Sequence, residues 1–93
     1  MKSTEQSIPL IKTPEEIQDF LINALATVLQ TTDDKINPQE PLDDYGLDSL
    51  DATTVMAELS DRCGKSFDFY VLWDYPTITE VADYIATELK DNA

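Results

Sequence analysis

The strongest constraint in this chain is a helix start followed by a long apolar stripe. Thr13-Pro14-Glu15-Glu16 places a capping hydroxyl before a helix, proline at its first position and glutamate at its third. Two acids also meet the positive end of the helix dipole. Ile17, Phe20, Leu21, Ala24, Leu25, Val28 and Leu29 then recur at three- and four-residue spacing. That spacing predicts one amphipathic helix of about 17 residues, ~25 Å long, with a single face to bury. The opposite face holds no lysine, which argues for a protein core rather than a membrane surface behind the apolar stripe.

A second helix is expected from Ser49 to Cys63. Asp48 stands at its N-cap and Gly64 at the stop that follows. Leu50, Val55, Met56, Leu59 and Cys63 supply apolar character. Leu50, Thr53 and Ala57 fall on a separate stripe, which leaves a half-apolar flank for a partner or for the preceding loop. The last helix begins with another capping box, Thr77-Ile78-Thr79-Glu80, and Ile78, Val81, Ala82, Ile85 and Leu89 form its core face to about Lys90. Phe67 to Tyr75 is dense in aromatics and stopped by Pro76. With no second strand to pair with, it reads as a short helical turn. Thr31 to Asp48 is a long connection in which isolated Ile36, Leu42, Tyr45 and Leu47 suggest pinning to the core. The expected fold is all-α: a small antiparallel bundle of three main helices plus one short helix, with a long loop after the first. Residues 1–12 read as a flexible lead-in, 13–90 as the domain and 91–93 as a tail.

Composition now narrows the function. The chain has 93 residues, enough for one core. It has no histidine, which removes Ser-His and Cys-His pairs, HExxH and imidazole metal sites. Its one cysteine closes no internal disulfide. Cys63 falls near a helix C-terminus, where a buried small side chain is expected rather than a reactive thiol. A net charge of −13 disfavours nucleic acid and anionic membranes, and favours basic protein surfaces. The bland reading of that charge is solubility. No run approaches the ~18–20 apolar residues of a membrane span, and no apolar stretch of signal-peptide length opens the chain, so a cytoplasmic location is expected.

The carboxylate pairs Asp33/Asp34, Asp43/Asp44 and Asp48/Asp51 read as solvated charge, since a bundle this small has little room for a desolvated acid. The Asp33–Asp44 acids do not make an EF-hand: the central glycine and the final glutamate are missing and prolines interrupt. No metal ligands and no catalytic residues are assigned. Ser49 is different. It follows Gly46-Leu47-Asp48 at a helix start, where a hydroxyl is exposed and an attached anion is favoured. The surroundings are not a GxSxG elbow, and no base activates the hydroxyl. The residues alone leave two readings: a serine modified by another enzyme, or a helix-capping serine.

The stretch Asp44-Tyr45-Gly46-Leu47-Asp48-Ser49-Leu50-Asp51 resembles the acyl carrier proteins, whose signature is Gly-x-Asp-Ser-Leu at the start of the second helix. Pro41-Leu42, Leu59, Gly64 and Asp74-Tyr75-Pro76-Thr77-Ile78 also fall where carrier domains have similar residues, so the likeness runs from about Thr13 to Lys90. The resemblance implies a covalent 4′-phosphopantetheine on Ser49, installed from coenzyme A by a phosphopantetheinyl transferase. The thiol of that arm would carry acyl thioesters between enzymes such as a ketosynthase and an acyltransferase with basic docking surfaces. The resemblance matches Asp48 to the acid before the serine, and Leu47, Leu50 and Asp51 to positions beside the arm that partners read. The expected arm site is therefore Ser49 with Gly46, Leu47, Asp48 and Leu50, and the expected partner surface is Asp44 and Asp51 with Thr53 and Ala57 of the separate stripe. The Asp-Tyr-Pro-Thr stretch resembles polyketide synthase carriers more than fatty-acid carriers, and Asp48 before Ser49 is unlike peptidyl carriers. Thr53 and Thr54 depart from the family's usual aliphatic residue and glutamate, and Trp73 stands where a smaller or phenylalanine-like residue is usual. The alternatives are a fatty-acid carrier or, in another class, an acidic helical docking module with no prosthetic group. Either a monomer or a domain of a larger synthase fits.

Overall fold

The computed structural model describes residues 10–91. Its helices are α1 (Pro14–Val28), α2 (Ser49–Cys63), α3 (Val71–Asp74) and α4 (Ile78–Asp91), with two 3₁₀ turns, Asp33–Lys35 and Leu42–Tyr45, in the long loop. No strand occurs among the described residues. No helix among them is long and apolar enough to cross a membrane.

The capping box forms in full at α1. The Thr13 hydroxyl accepts from the Glu16 N–H at 3.1 Å and the Glu16 carboxylate accepts from the Thr13 N–H at 3.2 Å. A further bond from the Lys12 N–H, with the others, holds the Glu16 carboxyl below its usual range. The helix ends one residue short of Leu29, the last member of the apolar stripe. Gln30 turns left-handed at φ 59°, letting Gln30 and Thr31 donate back to Thr27 and Ala26. That pattern closes the end of α1 where glycine is the usual choice. Ile17, Leu21, Ala24 and Leu25 are buried, while Phe20, Val28 and Leu29 pack at the edge of the core.

The direction of the helices follows from what meets at their ends. Ile11, just before α1, donates its N–H to the Arg62 carbonyl near the end of α2 at 3.0 Å. Lys12, Thr13 and Pro14 share a groove with Thr87, Leu89 and Lys90 at the end of α4. So α1 runs opposite to both α2 and α4. Lys65, just past α2, pairs with Glu88 near the end of α4 at 3.7 Å, so those two helices run the same way. Strict alternation of neighbours, as consecutive antiparallel packing implies, therefore holds for α1 and α2 but not for α2 and α4. The four-residue α3 between them permits the parallel return. Ile11 is buried, and the Leu10 side chain lies over Gly64. The packed unit thus extends at least two residues ahead of Thr13, while residues 1–9 lie outside the described part.

The long loop is pinned as its apolar residues suggested. Ile36 and Leu42 are buried, and Tyr45 and Leu47 pack against the core. Leu42 donates to the Pro76 carbonyl at 2.8 Å, and Thr79 donates to the Pro38 carbonyl at 3.1 Å. These bonds tie the loop to the α3–α4 junction and fix the height at which it delivers the start of α2.

Candidate functional site

The loop reaches α2 through a built turn. The Tyr45 hydroxyl accepts from the Asn37 N–H at 2.8 Å and lies 3.1 Å from the Glu40 carboxylate, stapling the second 3₁₀ turn to the middle of the loop. Partial burial and the neighbouring carboxylates raise the Tyr45 phenol above its ordinary range. Gly46 follows in the left-handed region at φ 68°, with open space where a Cβ would stand. An L-residue there meets backbone strain but no steric clash. Leu47 then turns inward and Asp48 returns to extended backbone, as an N-cap requires.

Asp48 caps α2: its carboxylate accepts from the Asp51 N–H at 2.8 Å. Ser49 is the first helical residue and is exposed. Its side-chain hydroxyl makes no hydrogen bond among the described residues, so capping is the work of Asp48 and not of Ser49. The N–H groups of Ser49 and Leu50 belong to the first turn, which has no intrahelical partners for them. The serine's carbonyl is engaged, because the Thr53 hydroxyl donates to it at 2.7 Å. Thr54 does the same to Leu50 at 3.1 Å. The two threonines thus back-bond along the first turn of α2.

The remaining candidates divide by location. Leu50 is 73% exposed, the largest exposure among the exposed large hydrophobics. Thr53 and Ala57 are also exposed, so the stripe of Leu50, Thr53 and Ala57 faces away from the core. Thr53 and Ala57 line a groove of about 510 Å³ whose other wall holds Phe67 and Phe69. Asp44 is exposed on the second 3₁₀ turn and Asp51 is half-buried in the first turn of α2. From residue 36 to residue 61 the chain has seven acids and no lysine or arginine. Cys63 is buried at the far end of α2, and burial pushes its thiol up to about 11. It is remote from Ser49 by the length of the helix, about 21 Å.

Two features of the site escape a reading of motifs. The Tyr45 staple to Asn37 and Glu40 depends on loop geometry that no periodicity carries. Trp73, undecided between core and surface on sequence grounds, is 51% exposed and lies across from the Gly46-Leu47 turn. Its single sequence signal is that it departs from the smaller or phenylalanine-like residue usual at that place.

Comparison with known proteins bears on this geometry. Residues 19–85 match the family described as the phosphopantetheine attachment site. A phenolphthiocerol/phthiocerol polyketide synthase subunit of Mycobacterium tuberculosis (strain ATCC 25618 / H37Rv) is 34% identical over 71 residues, 76% of this chain and 4% of that protein. The polyketide synthase PksL of Bacillus subtilis (strain 168) is 33% identical over 81 residues, 87% of this chain and 2% of that protein. The chain therefore spans a few per cent of the length of these relatives. Among solved structures, a free-standing peptidyl carrier protein from an Acinetobacter baumannii secondary metabolic pathway matches with a TM-score of 0.79 and 30% identity. That match covers 85% of this chain and 99% of the other. The HMG-ACPI domain of the CurA module from Lyngbya majuscula matches with a TM-score of 0.75 and 26% identity, over 96% and 92% of the two chains. The family match spans most of the chain and the solved carrier proteins share its all-α fold, so the chain belongs to the phosphopantetheine-attachment family of non-catalytic carrier domains, which hold 4′-phosphopantetheine covalently.

Proposed function

We propose that Ser49 is the attachment point and that the chain carries acyl thioesters between the enzymes of a polyketide synthase. The observation that carries the reading is the placement of Ser49: exposed, unbonded at its hydroxyl, and first in a helix that Asp48 already caps. The residues present fit the group. A phosphodiester on that hydroxyl would lie beside the Ser49 and Leu50 N–H groups at the positive end of α2. The arm supplies a terminal thiol as the acyl carrier, a role the buried Cys63 thiol is unsuited to. The chain's own part is to present the serine, to cap the helix behind it and to offer surfaces to partners.

A phosphopantetheinyl transferase would move the group from coenzyme A, which favours a cytoplasmic location, where coenzyme A is abundant. Ketosynthase and acyltransferase partners with basic faces would meet the acidic stretch 36–61, with Asp44, Asp51, Thr53 and Ala57 on the contact surface. The sequence relatives named above are polyketide synthases, which favours that pathway over fatty-acid synthesis. The solved structures that match include both a peptidyl carrier and an acyl carrier domain, so that likeness does not separate the cargo classes.

Incubation with coenzyme A, Mg²⁺ and a broad-specificity transferase should add one phosphopantetheine by intact mass, and Ser49→Ala should add none. An unchanged mass with a transferase active on a control carrier would refute the assignment. It would leave the docking module without a prosthetic group as the reading.

A further inference from the structure

We infer that the aromatic groove on the exposed face of α4, between Tyr75 and Tyr84, is a docking point for an arginine-bearing segment of a partner protein. The groove has a volume of about 320 Å³ and is lined by Tyr75, Glu80, Asp83, Tyr84 and Thr87. Glu80, Asp83, Tyr84 and Thr87 recur at three- and four-residue spacing, which sets them on one face of the helix. That face lies outside the acidic stretch 36–61, and the inference does not depend on what Ser49 carries.

Three rings form a row along this side of the molecule. Phe67 meets Tyr84 edge-on, with centroids 6.5 Å apart, and Tyr84 stacks on Tyr75 at 4.8 Å with 24° between the planes. One end of the row already holds a cation. The Lys65 ammonium lies 5.8 Å from the Phe67 centroid and 3.7 Å from a Glu88 carboxylate oxygen. A ring with a carboxylate beside it thus holds a basic side chain in this protein. The other end of the row repeats the pairing, with Tyr75 and Tyr84 as rings and Glu80 and Asp83 as carboxylates, and no lysine or arginine lines it. Asp83 also borders the groove that Lys12 and Lys90 line, yet it makes no ion pair among the described residues.

The chemistry of the lining selects arginine. A guanidinium is flat and weakly hydrated, so it stacks on a phenol ring while its N–H edge faces carboxylates. An ammonium is a compact, strongly hydrated point charge and gains less from the ring. Tyr75 and Tyr84 are half-buried, which leaves ring surface for the stack, and the exposed Glu80 and Asp83 stand at its rim. Burial first, then the charges of Glu88, Tyr75 and Asp74, raise the Tyr84 phenol above its ordinary range. The negative field behind that shift also favours an arriving cation, and a chain of net charge −13 draws a basic partner toward it.

The probe is the blocked tripeptide acetyl-Gly-Arg-Gly-amide, with lysine and citrulline counterparts, titrated into isotopically labelled protein and followed by nuclear magnetic resonance. The Tyr75 and Tyr84 ring signals should shift and saturate with the arginine peptide. They should respond about threefold more weakly to the lysine peptide and stay in place with citrulline, which keeps the shape and lacks the charge. Glu80→Gln with Asp83→Asn changes only exposed side chains, so the fold is kept, and it should raise the arginine dissociation constant about fivefold. Tyr84→Leu should raise it about threefold. Asp33→Asn with Asp34→Asn, which removes two charges from the first 3₁₀ turn, should leave it unchanged. Ring signals that fail to saturate, that move equally with citrulline, or that weaken as much with the Asp33 and Asp34 changes as with those at Glu80 and Asp83 would overturn the docking point. The attraction would then be the net charge of the chain alone.

Discussion

Asp48 is the residue through which the fold prepares Ser49, and replacing it separates two effects. Asp48→Ala removes the acceptor that lies 2.8 Å from the Asp51 N–H. Loss of a side-chain cap costs about 1 kcal/mol, and loss of a negative charge at a helix start a further ~0.3–1 kcal/mol. Together the change is about 1.5 kcal/mol, a large fraction of the roughly 5–14 kcal/mol expected for a domain of this size. For a domain this small each kcal/mol moves the midpoint by about 4–8 °C, so Tm should fall by about 6–12 °C. Asp48→Asn keeps an oxygen for the same bond and removes only the charge. Its loss at the dipole is opposed by relief of repulsion from Asp43, Asp44 and Asp51, which crowd the same turn in sequence. Asp48→Asn should therefore stay within about 0.5 kcal/mol of the parent. Scanning calorimetry on the three proteins, with urea midpoints as a second measure, decides the matter. Equal destabilisation by Ala and Asn would show that charge, and not the cap bond, holds the start of α2. A fall of under ~2 °C with Asp48→Ala would refute the capping argument altogether.

Gly46→Ala should cost about 1–2 kcal/mol from backbone strain alone, since φ is 68° and no atom obstructs the new methyl; a urea midpoint indistinguishable from the parent's would refute this. Cys63 is held protonated by burial to about 11, so the unfolded chain loses its thiol proton first as pH rises. The stability it contributes is therefore complete below about pH 9 and declines between about 9 and 11, and Cys63→Ala should lessen that decline in chemical unfolding at stepped pH. The same burial makes native Cys63 label slowly with iodoacetamide at pH 8 and rapidly in urea. The rate of transferase loading should drop roughly tenfold between low and high salt if the acids of residues 36–61 steer the encounter. Asp44→Asn with Asp51→Asn should flatten that dependence, measured by the time course of mass addition.

Much of this architecture is legible in the order of residues, and the reasons are local. Thr13 and Asp48 are caps whose partners lie three residues away, and Gly64 ends α2 in a left-handed conformation at φ 73°. Such short-range chemistry is written directly in sequence. The buried face of α1 follows from spacing alone, and so does the pinning of Ile36 and Leu42. What escapes depends on contacts between distant segments. The shared direction of α2 and α4 depends on how the short α3 returns the chain, and the Lys65–Glu88 pair marks where their ends meet. The packing of Ile11 on the end of α2 comes with its N–H reaching the carbonyl of Arg62, about fifty residues on, and no local pattern signals that. At the site, Ser49 and its cap are readable from a motif. The Tyr45 staple comes from the path of the long loop, and the exposure of Trp73 from the setting of α3 beside the Gly46-Leu47 turn.

The bond of Ile11 to Arg62, and the groove that Lys12 and Lys90 both line, have a geometric consequence. Both ends of the packed unit leave from one pole, and Ser49 occupies the other, a helix length away at about 21 Å. A chain joined at either end would therefore attach at the same pole. For a chain so joined, rotation there would sweep Ser49 through a wide arc.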